Sequence, residues 1–196
     1  MRTAWGYDVS SSIEPIISEF DFHNMTGNGY RSNPQVHAAL IAASQAIRNY
    51  CGWHITPSLS CTAKPVGGAA VLRLPAGYVS AVESVKEQGA TLDSGAYELR
   101  SDGLIRKKDG AYWAEAWDGI EVVYTAGYSE AAVPDLVSAV VSIATGVMSV
   151  SPGVTNESAD GVSVSYSANA ASIAAALTSQ QKSALEHYKV VNSHAA

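Results

Sequence analysis

The fold turns on the stretch NPQVHAALIAASQAIRNYCGWHITPS, Asn33 to Ser58. Val36, Leu40, Ala43, Ile47 and Tyr50 recur at spacings of four, three, four and three, which puts one apolar stripe on a helix. Asn33 suits the cap, Pro34 the first helical position, where a missing N–H costs nothing, and Gly52 the left-handed terminus. The spacing predicts a helix over Pro34 to Cys51, with Gln45 and Arg48 facing away from its packed side. Past Gly52 the helical period stops. From Ile55 to Ala126, Gly and Pro punctuate short runs rich in Val, Tyr and Thr, the pattern of an antiparallel sheet with tight connections.

Six strands are expected in that middle region: Ser58 to Ala63, Ala70 to Leu74, Val79 to Gln88, Tyr97 to Arg100, Leu104 to Lys107 and Ile120 to Ala126. Pro65 to Gly68 is read as the link joining the first two, and Ser101 to Gly103 as a hairpin turn, where Gly tolerates positive φ. In the last strand Ile120, Val122 and Tyr124 alternate with Glu121, Val123 and Thr125, so one face should be buried.

Outward from this core the signals thin. Met1 to Ile13 has no usable period and reads as an arm or coil. Ile16 to Met25 reads as a short helix with Ile16, Ile17, Phe20 and Met25 on one face, stopped by the turn signal at Gly27 to Gly29. C-terminal to the sheet, Leu136, Val137, Val140, Val141, Ile143, Ala144, Val147 and Met148 cover nearly the whole circumference of a helix starting at Pro134. A helix apolar all round is buried all round, in part by a neighbouring subunit. A stretch rich in Ser, Ala, Gly and Asn follows. It holds GVSVSYS, Gly161 to Ser167, where Val162, Val164 and Tyr166 alternate with serines as a strand without a visible partner. Thr178 and Gln181 then form a capping-box pattern ahead of a final helix of about Ser179 to Val191, striped by Ala184, Leu185, Tyr188 and Val191. The fold class is α+β: a small helical bundle (1–54 and 128–196) with an inserted antiparallel β-rich domain (55–127) and an extended C-terminal arm.

A chain of 196 residues, 47% hydrophobic and 15% charged, buries a proper core. No basic region precedes an apolar one at the start, so cytosolic synthesis without a signal peptide is expected. Leu136 to Asn156 carries no charge, but Ser138, Ser142, Thr145, Gly146, Ser149, Ser151 and Pro152 interrupt the roughly 20 apolar residues that a bilayer demands. No membrane partner is expected. A formal net charge of -6 argues against a protein that lives by gripping phosphates. The cationic cluster of Arg100, Arg106, Lys107 and Lys108 is read as a solvated strand face, with contact to nucleic acid or an acidic partner as the competing role. In that role Tyr97, Tyr112 and Trp113 would be stacking surfaces.

Catalytic and metal chemistry find no support. Cys51, His54 and Cys61 lie within eleven residues, but a structural zinc site wants four ligands in closely spaced pairs. No CxxC exists, and a fourth ligand would have to come from His23, His37, His187 or His194. Two cysteines make no disulfide framework. No GxSxG elbow is present, and the pairs Glu19/Asp21 and Glu157/Asp160 read as solvation. Neither a catalytic residue, a metal ligand nor a cofactor is assigned, and the chain is not read as an enzyme. The tryptophans are more informative: Trp53 after Gly52, and Trp113 and Trp117 before the last strand, are read as anchors locking a helix end onto a sheet, with an interface hot spot as the competing role.

Taken together, AIRNYCGWHITPS (Ala46 to Ser58), the strand-rich middle, DGIEVVYTAGY (Asp118 to Tyr128), VPDLVSAVVSIA (Val133 to Ala144) and GVSVSYS resemble the head-to-tail connector family of tailed bacteriophages. The resemblance spans roughly Ile17 to Tyr188 and lies in the order of segments and in the CGWHI and YTAGY neighbourhoods. It implies a non-enzymatic virion protein of the neck, assembled as a ring, commonly of twelve copies, between the portal protein and the next neck or tail component. Genome DNA would pass through such a ring without specific binding, and an acidic wall suits sliding. A stopper or tail-completion protein is the alternative within the class, and a nucleic-acid-binding module the alternative outside it. On this reading Val162, Val164 and Tyr166 form an arm strand that pairs with a neighbour or the portal. Leu185, Tyr188 and Val191 pack internally or reach the portal, and Val137, Val141 and Met148 face a neighbouring subunit.

Overall fold

The computed structural model describes residues 1–149, 156–159, 162–165 and 177–190. The chain is α+β, with two compact units: Met1–Ile13, Cys51–Ser129 and Tyr188–Ala196 form one, Glu14–Tyr50 and Glu130–His187 the other.

The first unit is β-rich. Its larger sheet contains β1 (Asp8–Val9), β2 (Leu59–Ala63), β4 (Val79–Glu87), β5 (Ala90–Thr91) and β8 (Ile120–Ala126), ordered β1-β2-β8-β4-β5, with every pairing antiparallel. The alternation read in the last strand holds: Ile120, Val122, Tyr124 and Ala126 are buried while Glu121, Val123 and Thr125 are half-buried. A second sheet, β3-β7-β6, holds β3 (Val71–Arg73), β7 (Leu104–Lys107) and β6 (Tyr97–Leu99). Ile105 sits at its centre between Leu72 and Leu99. The predicted hairpin turn is present. Arg100 N donates to Leu104 O at 2.8 Å, Gly103 has φ +83°, and a Cβ there would lie 2.8 Å from Ala76 O.

Pro65 to Gly68 links β2 to β3 as read, but it crosses from one sheet to the other, since β2 pairs with β1 and β8 while β3 pairs with β7. One expectation for this unit is corrected. Met1 to Ile13 is not a loose arm: β1 adds to the edge of the larger sheet, with Asp8 opposite Thr62 and Val9 opposite Cys61, and Tyr7 and Val9 are buried. Two residues of strand are too few to show a period.

The helical unit contains α1 (Glu19–Met25), most of α2 (Val36–Cys51), α3 (Pro134–Ser149) and α4 (Ser179–Leu185). Along α2, Val36, Leu40, Ala43 and Ile47 are buried as the stripe predicts, and Asn33 Oδ1 accepts from Gln35 N at 2.9 Å at its start. Arg48 departs from expectation. It is 3% exposed, and its Nη2 donates to Glu14 O at 2.8 Å, because the lead-in to α1 covers that side of α2. Ile16 N donates to Ser44 Oγ at 2.9 Å in the same contact. Ser18 caps α1, accepting from Asp21 N at 3.1 Å, so Ile16 and Ile17 precede the helix and do not share its face. Phe22 is the inward residue; Phe20 and Met25 are exposed.

On α3, Leu136, Val137, Val140, Ile143 and Ala144 are buried, whereas Val141, Val147 and Met148 are half-buried and Ser138, Ser142 and Gly146 exposed. The helix is therefore buried on one side with a half-covered flank, and not all round. α4 carries the predicted capping box between Thr178 and Gln181 and lies against α3. It ends at Leu185, and one turn of 3-10 helix, Glu186–Tyr188, follows. Leu185 and Tyr188 are buried, but Ala184 is exposed and Val191 lies outside the described residues. The strand at Val162 is not alone: β10 (Val162–Ser165) pairs antiparallel with β9 (Asn156–Ala159), placing Val162 opposite Ala159 and Val164 opposite Glu157. Tyr166 lies outside the described residues.

Candidate functional site

The CGWHI and YTAGY segments meet in space. Gly52 takes φ +81° and Ile55 φ +62°, turning the chain out of α2 and into β2 around the buried Trp53 and His54. Tyr128 N donates to Ile55 O at 2.8 Å. At Gly127, φ is +108°, and a Cβ would press directly on Pro57 O and come within 2.8 Å of His54 Nε2, so only glycine fits between the segments. His54 Nε2 lies 3.0 Å from Ala126 O, a pure acceptor, so this nitrogen carries the proton. Tyr7 Oη then donates to Nδ1 at 2.8 Å and accepts from His54 N at 3.0 Å. These bonds tie the N-terminal strand, the α2 exit and the end of β8 together.

Rings extend the junction. Tyr128 stacks on Tyr78 with centroids 4.6 Å apart, and meets Trp53 at 6.0 Å and Tyr188 at 5.8 Å. Trp53 Nε1 donates to Tyr188 O at 2.6 Å, and Val190 N to Cys51 O at 2.9 Å. Trp53 is thus the anchor expected of it, and Tyr188 is engaged inside its own chain.

The residues weighed and set aside as metal ligands serve other ends. Cys51 and Cys61 are buried and form no disulfide, and both His54 ring nitrogens are taken by Tyr7 and Ala126. Burial pushes the Cys61 thiol up to about 12. Among the described residues no three His, Cys, Asp or Glu side chains gather as a metal site.

The cationic cluster is mostly paired within the chain. Arg106 Nε lies 2.5 Å from Glu98, Arg100 2.7 Å from Asp102 and Lys107 2.7 Å from Glu87. The last pair is nearly covered, with side chains 15% and 14% exposed. Glu87 Oε1 also accepts from Ala114 N at 2.7 Å, and Lys107 Nζ stands 5.1 Å from the Trp113 ring centre. Partial burial would raise the Glu87 carboxyl, but Lys107 and the Ala114 amide together hold it below the usual carboxylate range. Lys107 joins β7 to β4 and to the loop before β8, so it is not a free cation for a ligand. Of the imagined stacking surfaces, Tyr97 and Trp113 are buried and only Tyr112 is exposed. Lys108 is exposed.

Other exposed groups stand out in their place. Trp117, expected as an anchor, is 100% exposed, with Val66 at 85% and Tyr112 at 70%. Their loops run side by side, Gly68 N donating to Trp113 O and Trp113 N to Ala69 O, both at 2.9 Å. One signal existed in the sequence: AEAWDG puts the ring among small and acidic residues just before a turn, with no apolar neighbour at strand spacing. In the helical unit Tyr50 Oη reaches Glu186 at 2.6 Å, and His187 Nε2 lies 3.3 Å from Asp135, so the turn after α4 is held by both α2 and α3. No helix among the described residues is long and apolar enough to cross a membrane.

The chain is similar in fold to chains of gene transfer agent particles. One belongs to the neck of a native particle computed with C12 symmetry (18% identity, 95% of this chain and 96% of that chain, TM-score 0.61). Another is from the neck of an empty particle computed with C6 symmetry (16% identity, the same coverages, TM-score 0.60). A third is from the virion of the native particle (18% identity, TM-score 0.55). No family model and no curated protein sequence matches the chain.

Proposed function

We propose that this protein is a non-enzymatic structural subunit of the neck of a phage-like particle, a connector or adaptor that assembles as a ring beneath the portal and joins the DNA-filled head to the tail. The observation that carries this reading is the fold likeness to neck chains over 95% of this chain and 96% of theirs. The C12 symmetry reported for that neck is consistent with a dodecamer. On this reading the protein works in the virion neck after assembly in the host cytoplasm, with copies of itself, the portal and the next neck or tail protein as partners.

The hairpin of β9 and β10 fits the same role. A two-stranded hairpin is marginal by itself and gains stability when a further strand or face joins it. We therefore assign its outer edge to strand addition with a neighbouring subunit, with Val162 and Val164 in the added ladder. The half-covered flank of α3, Val141 and Met148, is a second contact between copies, and Val137 borders it.

A nonsense codon at Tyr50 in a particle-producing strain tests the role by electron microscopy of lysates. The expected result is DNA-filled or leaking heads beside detached, complete tails. Normal infectious particles would overturn the neck reading.

A further inference from the structure

We propose that neighbouring copies of this chain are joined through Trp117, which inserts into a cleft on the outer face of the three-stranded sheet of the next copy. The inference rests on the ring reading and names a contact within it.

The cleft, of about 280 Å³, has Val71 and Leu104 among its walls together with Arg100, Arg106 and Glu98. That volume is at or below the small end of ligand clefts, about 300–1,000 Å³, and suits one side chain better than a cofactor. The sheet register explains its chemistry. Val71 stands opposite Arg106, Arg106 opposite Glu98, and Arg73 opposite Leu104, so apolar and guanidinium groups share the outward face. Arg73 makes no ion pair among the described residues.

The knob is complementary in shape and sign. Trp117 is wholly exposed, and Glu115 and Asp118, both exposed, flank it without an ion pair among the described residues. An indole set among carboxylates fits this cleft: Arg106 and Arg100, already paired with Glu98 and Asp102, offer their guanidinium faces to the ring, while Arg73, opposite Leu104 and without an ion pair among the described residues, is left to meet the acids. A wholly exposed Trp in a soluble chain is a strong anchor candidate, since Trp and Arg dominate the energetic centres of interfaces. The same chain carries knob and cleft as different surfaces, so the contact is head-to-tail, the kind that closes into a ring when the rotation per copy permits.

Two variants test this without disturbing the core: Trp117→Ala removes the knob and Val71→Glu places a charge at the cleft. Each alone is expected to lose higher oligomers in mass photometry, with an unchanged melt by circular dichroism. Mixed together they are expected to give a one-to-one heterodimer that goes no further, because one intact knob meets one intact cleft. Wild-type-like rings formed by Trp117→Ala would overturn the contact while leaving the neck reading to the particle microscopy. A wild-type chain that stays monomeric would overturn it too. A cleft whose Arg106→Glu variant loses salt-sensitive DNA binding, with rings intact, belongs to nucleic acid and not to a second copy.

Discussion

The two units lean on apolar and polar contacts in different proportion, although covered polar groups such as Arg48 and Ser44 occur in the helical unit too. In the helical unit apolar stripes do most of the packing: Val36, Leu40, Ala43 and Ile47 on α2, and Leu136, Val140 and Ala144 on α3. In the β-rich unit, partnered polar groups decide which segments meet: Tyr7 with His54, His54 with Ala126, Trp53 with Tyr188, and Lys107 with Glu87. Apolar burial is non-directional and tolerates repacking, whereas a covered polar group is satisfied in one arrangement and costs free energy in the others. The β-rich unit, whose contacts are far apart in the chain, therefore owes its uniqueness to a few residues.

That contrast can be broken most sharply at Gly127. Gly127→Ala forces a side chain into the left-handed region and against Pro57 and His54, and should cost about 4 kcal/mol or more, read as a collapse of the urea midpoint. Leu40→Ala in α2, a purely apolar loss, should cost about 3 kcal/mol and leave the near-ultraviolet signal of the tryptophans in place, since they all belong to the β-rich unit. Lys107→Met strands the Glu87 carboxylate and should cost about 2 kcal/mol at pH 7, less than a fully buried pair because some water reaches it. The depressed Glu87 carboxyl contributes stability above its unfolded titration range that is lost as pH falls through its folded one, so the variant's penalty should shrink in acid. The smallest effect is alkaline. Cys61 titrates at 9.0 when unfolded and about 12 when folded, so its native form holds the proton more tightly and stability declines from pH 9 upward. Cys61→Ala should remove about 1 kcal/mol of that decline at pH 10. An equal decline in wild type and variant would show that the thiol is not its source.

Legibility followed the same divide. Periodic segments were readable: α2, α3, β8 and the hairpin at Ser101 to Gly103 stand where their patterns predict. Arg48 was misread because a guanidinium on the far side of a stripe looks solvated until another segment supplies a carbonyl. The partner of the Val162 strand was missed because Asn156, Glu157 and Ser158 lack strand character, although Asp160-Gly161 between the two strands is the dipeptide that favours two-residue hairpin loops. Trp113 and Trp117, four residues apart in one loop, had the same expectation; one is buried and the other fully exposed.

By itself, the sequence determined the class, the course of the two long helices, most strands and the acidic balance, because caps, turns and periods are local and act within a few residues. Only the tertiary structure decided that the middle strands split into two sheets, that Tyr7 and Gly127 close around His54, that Lys107 is spent on Glu87, and that Trp117 is left in water. Each of these depends on which distant group arrives opposite a given side chain, and no local pattern encodes that.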